Sequence, residues 1–161
     1  MPVFDSPVGP LTIRVNDDGA LEEIRFGVAP AILPAKENAG RTAGGTLVID
    51  QLNEYFAGKR RAFDLPLAPR GTDFQLACWN ELQRIPFGGT ISYSELARRI
   101  ARPNAVRAVG AANGANPIPI IIPCHRVIGA NGTLTGYGGG LHIKRALLAL
   151  EQPQRTLLET V

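Results

Sequence analysis

The spacing of apolar residues changes at Gly71, and this change limits more than any other feature what the chain can fold into. Before it, apolar and polar residues alternate in Leu11-Thr-Ile-Arg-Val15, and the run Leu21 to Phe26 follows the turn signal Asp17-Asp-Gly19. Two such runs joined by a short turn predict a β-hairpin. After Gly71 the apolar residues recur at helical spacing. The chain is therefore predicted to be α+β, with a small N-terminal domain of mixed sheet and helix and a helical C-terminal domain.

The remainder of the N-terminal part predicts one helix between two irregular segments. Residues 29–45 are rich in Ala, Pro and Gly and predict a loop. Thr46 is predicted to cap the helix, and Gly58 to end it. The apolar face of this helix comprises Val48, Leu52, Tyr55 and Phe56. Residues 59–71 contain two prolines and predict a connection between domains.

The domain boundaries that follow are residues 1–70 and residues 71–161. The C-terminal domain is predicted to open with a helix, because Thr72-Asp-Phe-Gln75 matches the capping box and an apolar stripe follows it. That stripe comprises Phe74, Cys78, Leu82 and Ile85. A leucine-rich helix from Leu141 to Glu151 is predicted to close the domain.

Two further short helices are predicted in the middle of the C-terminal domain. Ser92-Tyr-Ser-Glu95 is a second capping box and opens a helix through Ile100. Pro103 favours the first position of the next helix, which runs from Asn104 to about Asn113. Two short helices joined by a tight turn are typical of winged helix-turn-helix-like DNA-binding domains, although many helical pairs share this pattern.

Basic residues concentrate in the C-terminal domain. Residues 1–70 carry 8 Lys or Arg and 9 Asp or Glu, a balance of −1, whereas residues 71–161 carry 9 and 5, a balance of +4. The arginines at the predicted helix-turn-helix are Arg98, Arg99, Arg102 and Arg107. A basic, arginine-weighted half favours a polyanion partner. A solvated surface accounts for the charge alone equally well.

The cysteine and histidine content argues against a disulfide framework and against a metal. Cys78 and Cys124 are too few for a disulfide framework. The first residues do not resemble a signal peptide and no run of 18 apolar residues exists, so we expect a cytoplasmic protein with free thiols and no membrane partner. The spacing of these cysteines with His125 and His142 matches no common zinc pattern. We expect no metal and no other cofactor.

Cys124 and His125 are adjacent, which suggests a nucleophile and its base. A thiol of pKa about 8.5 is only a few per cent ionised at neutral pH, so it needs activation. On an extended segment the two side chains would point in opposite directions, and a water would carry the proton between them. Glu151 is a candidate to orient the imidazole, and Asn116 to hold the backbone or the thiolate. The alternative is a buried thiol beside a structurally satisfied histidine.

The sequence motifs around this pair resemble those of one family. Ile122-Pro-Cys-His-Arg-Val127 resembles the active-site motif of the O6-alkylguanine-DNA alkyltransferases, also called methylated-DNA–protein-cysteine methyltransferases. Further segments that match the family are Gly71-Thr-Asp-Phe-Gln75, Trp79, Ile85-Pro86, Ile91 to Ala97, Arg107 to Gly110, Asn116-Pro117, Gly136 to Gly140 and Lys144 to Glu151. The resemblance covers residues 71–151. The N-terminal third resembles the small mixed domain of the family less specifically.

The resemblance implies a single-turnover DNA repair protein that moves the alkyl group of O6-alkylguanine to its own cysteine, with O4-alkylthymine as a further candidate substrate. Cys124 would accept the alkyl group, His125 would deprotonate it through a water, and Glu151 would orient His125. Asn116 would stabilise the turn that carries this network. Arg126 would hold structure through an ion pair.

The resemblance also implies roles on DNA. The partner would be double-stranded DNA containing O6-alkylguanine, bound through the minor groove, with no obligate protein partner. Arg107 would enter the duplex where the base has flipped out, and Tyr93 would crowd the phosphate and donate a proton to the departing guanine. Tyr137 and the backbone around Val127 and Gly138 would line the base pocket.

One position departs from the family, and two other functions remain open. Ala101 stands where the family usually has glycine between the two helices, and Cys78 is interpreted as a core residue. One alternative is a lesion sensor that flips alkylguanine with little transfer. The other is a thiol hydrolase that uses Cys124, His125 and Glu151 and would need an oxyanion hole.

Overall fold

The computed structural model describes residues 3–27, 43–134 and 137–152. Its elements are β1 (Val3–Ser6), β2 (Gly9–Val15), β3 (Leu21–Phe26), α1 (Ala43–Phe56), α2 (Asp73–Leu82), β4 (Ile91–Ser92), α3 (Tyr93–Arg99), α4 (Val106–Gly114), a 3-10 turn (Cys124–Arg126), β5 (Val127–Ile128) and α5 (Leu141–Leu150). The chain divides into two compact units, Met1–Arg70 with Pro117–Pro119, and Gly71–Asn116 with Ile120–Val161. The elements confirm the predicted α+β class.

The first unit is built on an antiparallel sheet of order β1-β2-β3. The predicted hairpin is confirmed, since Ile13 pairs with Ile24 and Leu11 with Phe26. Alternate residues of β2 and β3 face α1, so that Leu11, Ile13 and Ile24 form a core with the apolar face of α1. The Ile24 N–H donates to the Pro117 carbonyl at 2.9 Å, which explains why Pro117–Pro119 groups with this unit.

The start of α1 corrects the sequence prediction. The helix begins at Ala43, so Thr46 lies inside it and is not its cap. The early start is possible because a Cβ at Gly44 would lie 2.8 Å from the Gly19 carbonyl oxygen, so only glycine fits where the first turn meets the hairpin. The predicted loop 29–45 is therefore wrong from Ala43 onward, and its earlier residues lie outside the described ones.

The second unit packs α2, α3 and α4 together. The capping box of α2 is confirmed in both directions between Thr72 and Gln75. At the start of α3, the Ser92 hydroxyl accepts from the Glu95 N–H at 3.0 Å, which is one of the two bonds of the predicted capping box. The Glu95 carboxylate pairs with Arg98 and Arg99. The indole of Trp79 donates to the Ala112 carbonyl at 2.8 Å, which fixes α4 against α2.

The helix-turn-helix pair is formed by α3 and α4, with a later second helix than predicted. The sequence prediction of a helix from Asn104 is wrong, because the Ala105 N–H donates to the Arg102 carbonyl at 2.9 Å and closes a separate turn there. The helix starts only at Val106. Pro103 lies in that turn rather than at the first helical position.

Replacing Ala101 with glycine should stabilise the protein. Ala101 has φ +61°, a left-handed conformation that costs an L-residue roughly 1–2 kcal/mol. Glycine avoids this cost, but it loses more conformational entropy on folding than alanine does, which costs about 0.5–1 kcal/mol. We therefore expect a rise in Tm of about 1–4 °C. The control is Ala108→Gly in α4, which should lower stability by about 1 kcal/mol. Thermal unfolding in which both variants lost stability equally would contradict this interpretation.

The segment before the 3-10 turn is irregular, although its apolar run has the length of a strand. Residues 117–123 form turns, and Ile120 is buried with φ +74°, which is rare for a β-branched residue. Three prolines in seven residues remove the N–H donors that a strand would need. The following β5 instead pairs in parallel with β4.

The predicted closing helix is confirmed as α5, with Glu151 at its C-cap. Lys144, Leu147 and Glu151 share one buried face of this segment. No helix among the described residues is long and apolar enough to cross a membrane.

Candidate active site

Cys124 begins the 3-10 turn and is almost fully enclosed, with 5% of its surface exposed. Its N–H donates to the Ile122 carbonyl at 2.8 Å. The segment is thus not extended, and the expectation that Cys124 and His125 point in opposite directions for that reason is wrong. Burial raises the pKa of the Cys124 thiol, while hydrogen bonds from Asn116 and Tyr137 and the charge of Lys144 act to lower it.

His125, Glu151 and Arg126 form one buried network. The His125 Nε2 and Glu151 Oε2 atoms lie 2.6 Å apart, and the Arg126 Nε donates to Glu151 Oε1 at 2.8 Å. Arg126 also donates to the Ile85 carbonyl at 2.6 Å. The ion pair expected of Arg126 is therefore present. Burial alone would raise the pKa of Glu151, but the bonds from His125 and Arg126 outweigh it and lower the value to about 2.

The second nitrogen of His125 is available for proton transfer. Its side chain is fully buried, and Nδ1 has no hydrogen-bond partner among the described residues. Burial lowers the pKa of His125 despite the bond to Glu151. The neutral ring donates from Nε2 to the carboxylate, which leaves Nδ1 as an acceptor.

Stability should fall in two stages as the pH is lowered. The folded His125 has a lowered pKa, so below its ordinary value of about 6.5 only the unfolded chain gains that proton. The folded Glu151 has a pKa of about 2. Ionised Glu151 contributes about 3 kcal/mol to the free energy of unfolding above pH 5, and this contribution is lost as the pH falls toward 2.

Urea unfolding at a series of pH values measures both stages. Glu151→Gln should remove the lower stage, and His142→Gln, at the exposed start of α5, is the matched control. A wild-type unfolding free energy that stayed constant from pH 7 to pH 5 would contradict the His125 stage, and one that stayed constant from pH 5 to pH 2 would contradict the Glu151 stage.

Two asparagines, one in the last turn of α4 and one just after the helix, bind carbonyls of the segment that leads to and includes Cys124. Asn116 Nδ2 donates to the Ile122 carbonyl at 2.7 Å, as expected of a residue that stabilises this turn. Asn113 Nδ2 donates to the Cys124 carbonyl at 3.3 Å. The sequence analysis did not single out Asn113, because an asparagine inside a helix carries no motif signal of its own.

Lys144 is the second residue that the sequence analysis missed. It is fully buried on α5, and its Nζ donates to the Val127 carbonyl at 2.8 Å. The same atom lies 6.0 Å from the centre of the Tyr93 ring. Burial lowers the pKa of Lys144, and its charge and that of a Cys124 thiolate favour each other. The signal was available, since Lys144 shares the spacing of Leu147 and Glu151 on one helix face.

A cavity of about 440 Å³ opens beside this site. Its lining residues are Tyr93, Val106, Arg107, Gly110, Gly114, Tyr137 and Gly138. Four of the five residues predicted to contact the base or DNA thus lie together. The fifth, Val127, is fully buried and is not in this lining, and its carbonyl is bound by Lys144.

The predicted basic cluster is less uniform than its sequence indicates. Arg98 and Arg99 are both paired with Glu95, and Arg99 also approaches Glu81 at 4.0 Å. Arg102 and Arg107 are exposed and form no ion pair with any described residue. These two are the cations that remain available to a polyanion.

A helix-turn-helix pair beside a buried thiol with its own His–Glu pair defines a protein that combines nucleic-acid binding with cysteine chemistry. Residues 73–153 match the family model "6-O-methylguanine DNA methyltransferase, DNA binding domain", and residues 2–69 match "6-O-methylguanine DNA methyltransferase, ribonuclease-like domain". The chain belongs to the 6-O-methylguanine DNA methyltransferase family.

Relatives with curated names and solved structures agree with this assignment. The methylated-DNA–protein-cysteine methyltransferase of Mycobacterium tuberculosis is 51% identical over 92% of this chain and 90% of its own, and that of Methanosarcina acetivorans is 48% identical over 92% and 96%. The crystal structure of M. tuberculosis OGT in complex with DNA has a TM-score of 0.80 at 49% identity, covering 93% of this chain and 91% of that one. The predicted family, fold class and enzyme class, a methylated-DNA–protein-cysteine methyltransferase, are confirmed.

Proposed function

We propose that this protein repairs double-stranded DNA by moving the alkyl group of O6-alkylguanine to the sulfur of Cys124. The observation that carries the proposal is the buried thiol beside the His125–Glu151 pair, in the unit that also holds the cavity bounded by Tyr93 and Arg107. The names of the curated relatives and the DNA complex of the M. tuberculosis protein support the substrate and the partner.

Activation of the thiol follows from the hydrogen-bond network. His125 Nδ1 is the acceptor that takes the Cys124 proton, with a water between the two groups. Glu151, held ionised by Arg126, stabilises the imidazolium that forms. The buried ammonium of Lys144 stabilises the thiolate, which burial alone would disfavour.

The transfer itself is a displacement at the alkyl carbon. The thiolate sulfur attacks this carbon, the bond from carbon to the guanine oxygen breaks, and the guanine leaves with that electron pair and takes up one proton. Tyr93 is the proposed donor of that proton. Tyr93 then regains a proton from the imidazolium of His125, so in the net balance the thiol proton replaces the alkyl group on guanine, while Cys124 becomes a thioether. No other reactant is needed, and no described group would cleave the thioether, so each molecule acts once.

The base must leave the helix before the sulfur can reach it, because its reacting oxygen lies within the stacked duplex. We place the flipped guanine in the cavity between Tyr93, Tyr137 and Gly138, and Arg107 in the gap that it leaves. Small residues on the exposed side of α4, such as Ala108 and Ala111, allow close approach to sugar edges in the minor groove. A cytoplasmic location is also proposed, since the acceptor thiol has to stay reduced.

Intact-protein mass spectrometry after incubation with O6-methylguanine duplex tests the proposal. We expect one added methyl group for each protein molecule, mapped by peptide analysis to Cys124 and absent from Cys78. An unchanged mass with tight binding would instead identify a lesion sensor. Free product in excess over protein would identify a hydrolase.

Binding to undamaged duplex should weaken steeply with salt and depend little on sequence. Each phosphate contact steepens the slope of log K against log salt by about 0.9. Arg102→Ala should therefore reduce the slope by nearly this amount, whereas Arg98→Ala should reduce it less, because Arg98 is already paired with Glu95. Fluorescence anisotropy over a salt series measures both. Equal changes in the two variants would contradict the assignment of free cations.

A further inference from the structure

Two buried polar atoms next to Cys124 have no hydrogen-bond partner among the described residues. They are Asn113 Oδ1 and His125 Nδ1, and the two residues are 4% and 0% exposed. A buried polar atom without a partner costs free energy, so native proteins satisfy such atoms with an ordered water where no protein group does so. The pair of atoms therefore points to a small polar ligand beside the thiol.

Both side chains adjoin the same peptide group. Asn113 Nδ2 donates at 3.3 Å to the Cys124 carbonyl, which belongs to the peptide bond between Cys124 and His125. A carbonyl oxygen only accepts, so this contact fixes which end of the amide faces the peptide and makes Oδ1 the acceptor at the other end. The bond from His125 Nε2 to Glu151 likewise leaves Nδ1 as an acceptor. Two acceptors cannot bond to each other, so both need protons donated by a third group.

We propose that Asn113 is a positioning residue that holds, through Oδ1, the water that carries the Cys124 proton to His125 Nδ1. The inference deepens the proposed function and rests on it, because that function needs a water between thiol and imidazole. A water has two O–H donors, and one donated to each acceptor satisfies both orphan atoms. Its oxygen then accepts from the Cys124 thiol. About three polar partners are usual for a buried water.

The bond to Asn113 persists while the proton moves. Before the transfer, the water accepts from the thiol and donates to His125 Nδ1. The water takes the thiol proton and passes one of its own to Nδ1, so that the imidazolium then donates to the water and the water donates to the thiolate. Its other O–H stays on Asn113 Oδ1 in both states. This constant bond keeps the water aligned between sulfur and nitrogen, which is the geometry that proton transfer requires.

The pH dependence of transfer from free O6-benzylguanine tests the role of Asn113 without DNA. Asn113→Leu removes the acceptor and keeps a side chain of similar size. At pH 7 we expect this variant to react at least about tenfold more slowly than the wild type, because the thiol then depends on His125 for ionisation. The difference should narrow as the pH rises and the thiol loses its proton to solvent without His125.

A structural role of Asn113 would give a different profile. Loss of the bond to the Cys124 carbonyl alone would slow the variant equally at every pH. The matched control is Asn80→Leu, on the exposed side of α2, which should follow the wild type throughout. The comparison reports Asn113, because all three proteins share the charged or titratable groups that act on the thiol and the imidazole, which are Lys144, Tyr137, Glu151 and Arg126.

A high-resolution crystal structure of the wild type tests the water directly and decides the matter if the leucine variant fails to fold. It should show one ordered water within about 3.2 Å of both Asn113 Oδ1 and His125 Nδ1. A reactive wild type without this water would overturn the inference. An unchanged rate in Asn113→Leu, or a loss that is equal at every pH, would do the same. A wild type that gains no benzyl group would instead overturn the proposed function.

Discussion

Cys124→Ser should remove no alkyl group from O6-methylguanine duplex and should still bind that duplex about as tightly as the wild type. A serine hydroxyl is far harder to ionise than a thiol, and Lys144 and His125 cannot make up the difference. In the proposed function, binding rests on other groups, namely the exposed arginines and the cavity beside α4. Serine fills the Cys124 site with one smaller atom and keeps the hydrogen-bonding capacity, so the fold should persist.

Single-turnover transfer and anisotropy titration on the same preparation separate these two effects. The matched control is Cys78→Ala, because Cys78 is the other free and buried cysteine and lies on α2. It should retain transfer and lose some stability through the small cavity that it leaves. Residual transfer by Cys124→Ser would show that another group accepts the alkyl chain.

Local chemistry explains which parts of the fold the sequence could predict. The hairpin and the cap of α2 depend on neighbours within a few residues, namely a turn signal and the reciprocal Thr72–Gln75 bonds. The starts of α1 and α4 depend on distant or competing contacts. Gly44 fits against Gly19, and a turn closed by Arg102 displaces the start that Pro103 favours. The spacing of apolar residues along the sequence does not indicate such contacts.

The residues of the candidate site likewise include some that the sequence could identify and some that it could not. The motifs shared with the family identified Cys124, His125, Glu151 and Asn116 as candidates. In the structure, Glu151 binds His125, and Asn116 binds the Ile122 carbonyl two residues before the thiol. Lysine is a residue type that is usually exposed, so the one sequence signal for the burial of Lys144 was its position on the same helix face as Leu147 and Glu151. The backbone of Val127 was predicted to line the base pocket. In the structure, the Val127 carbonyl accepts a hydrogen bond from Lys144.

Arg107→Ala should slow repair of O6-methylguanine in duplex DNA on the order of 10²-fold and leave transfer from free O6-benzylguanine almost unchanged. Flipping a base costs a few kcal/mol, which an arginine in the vacated gap offsets. Loss of about 2–3 kcal/mol of this compensation corresponds to that factor, since 1.4 kcal/mol is tenfold. The free base needs no flipping. It therefore tests the chemistry of Cys124 without the contribution of Arg107.

The structure supports different effects of Arg107→Ala on the duplex and on the free base. Arg107 lies at the start of α4 on the cavity lining and forms no ion pair with any described residue. Its removal therefore breaks no ion pair within the described part of the protein. Arg102→Ala is the control that distinguishes gap filling from general attraction to phosphate. It removes a neighbouring exposed cation, and its effect should disappear when protein is in excess and the DNA is saturated. The effect of Arg107→Ala should persist at saturation, because it acts on flipping after binding. Equal losses on duplex and free base would instead mean that the variant disturbs the site itself, and the flipping role of Arg107 would have to be abandoned.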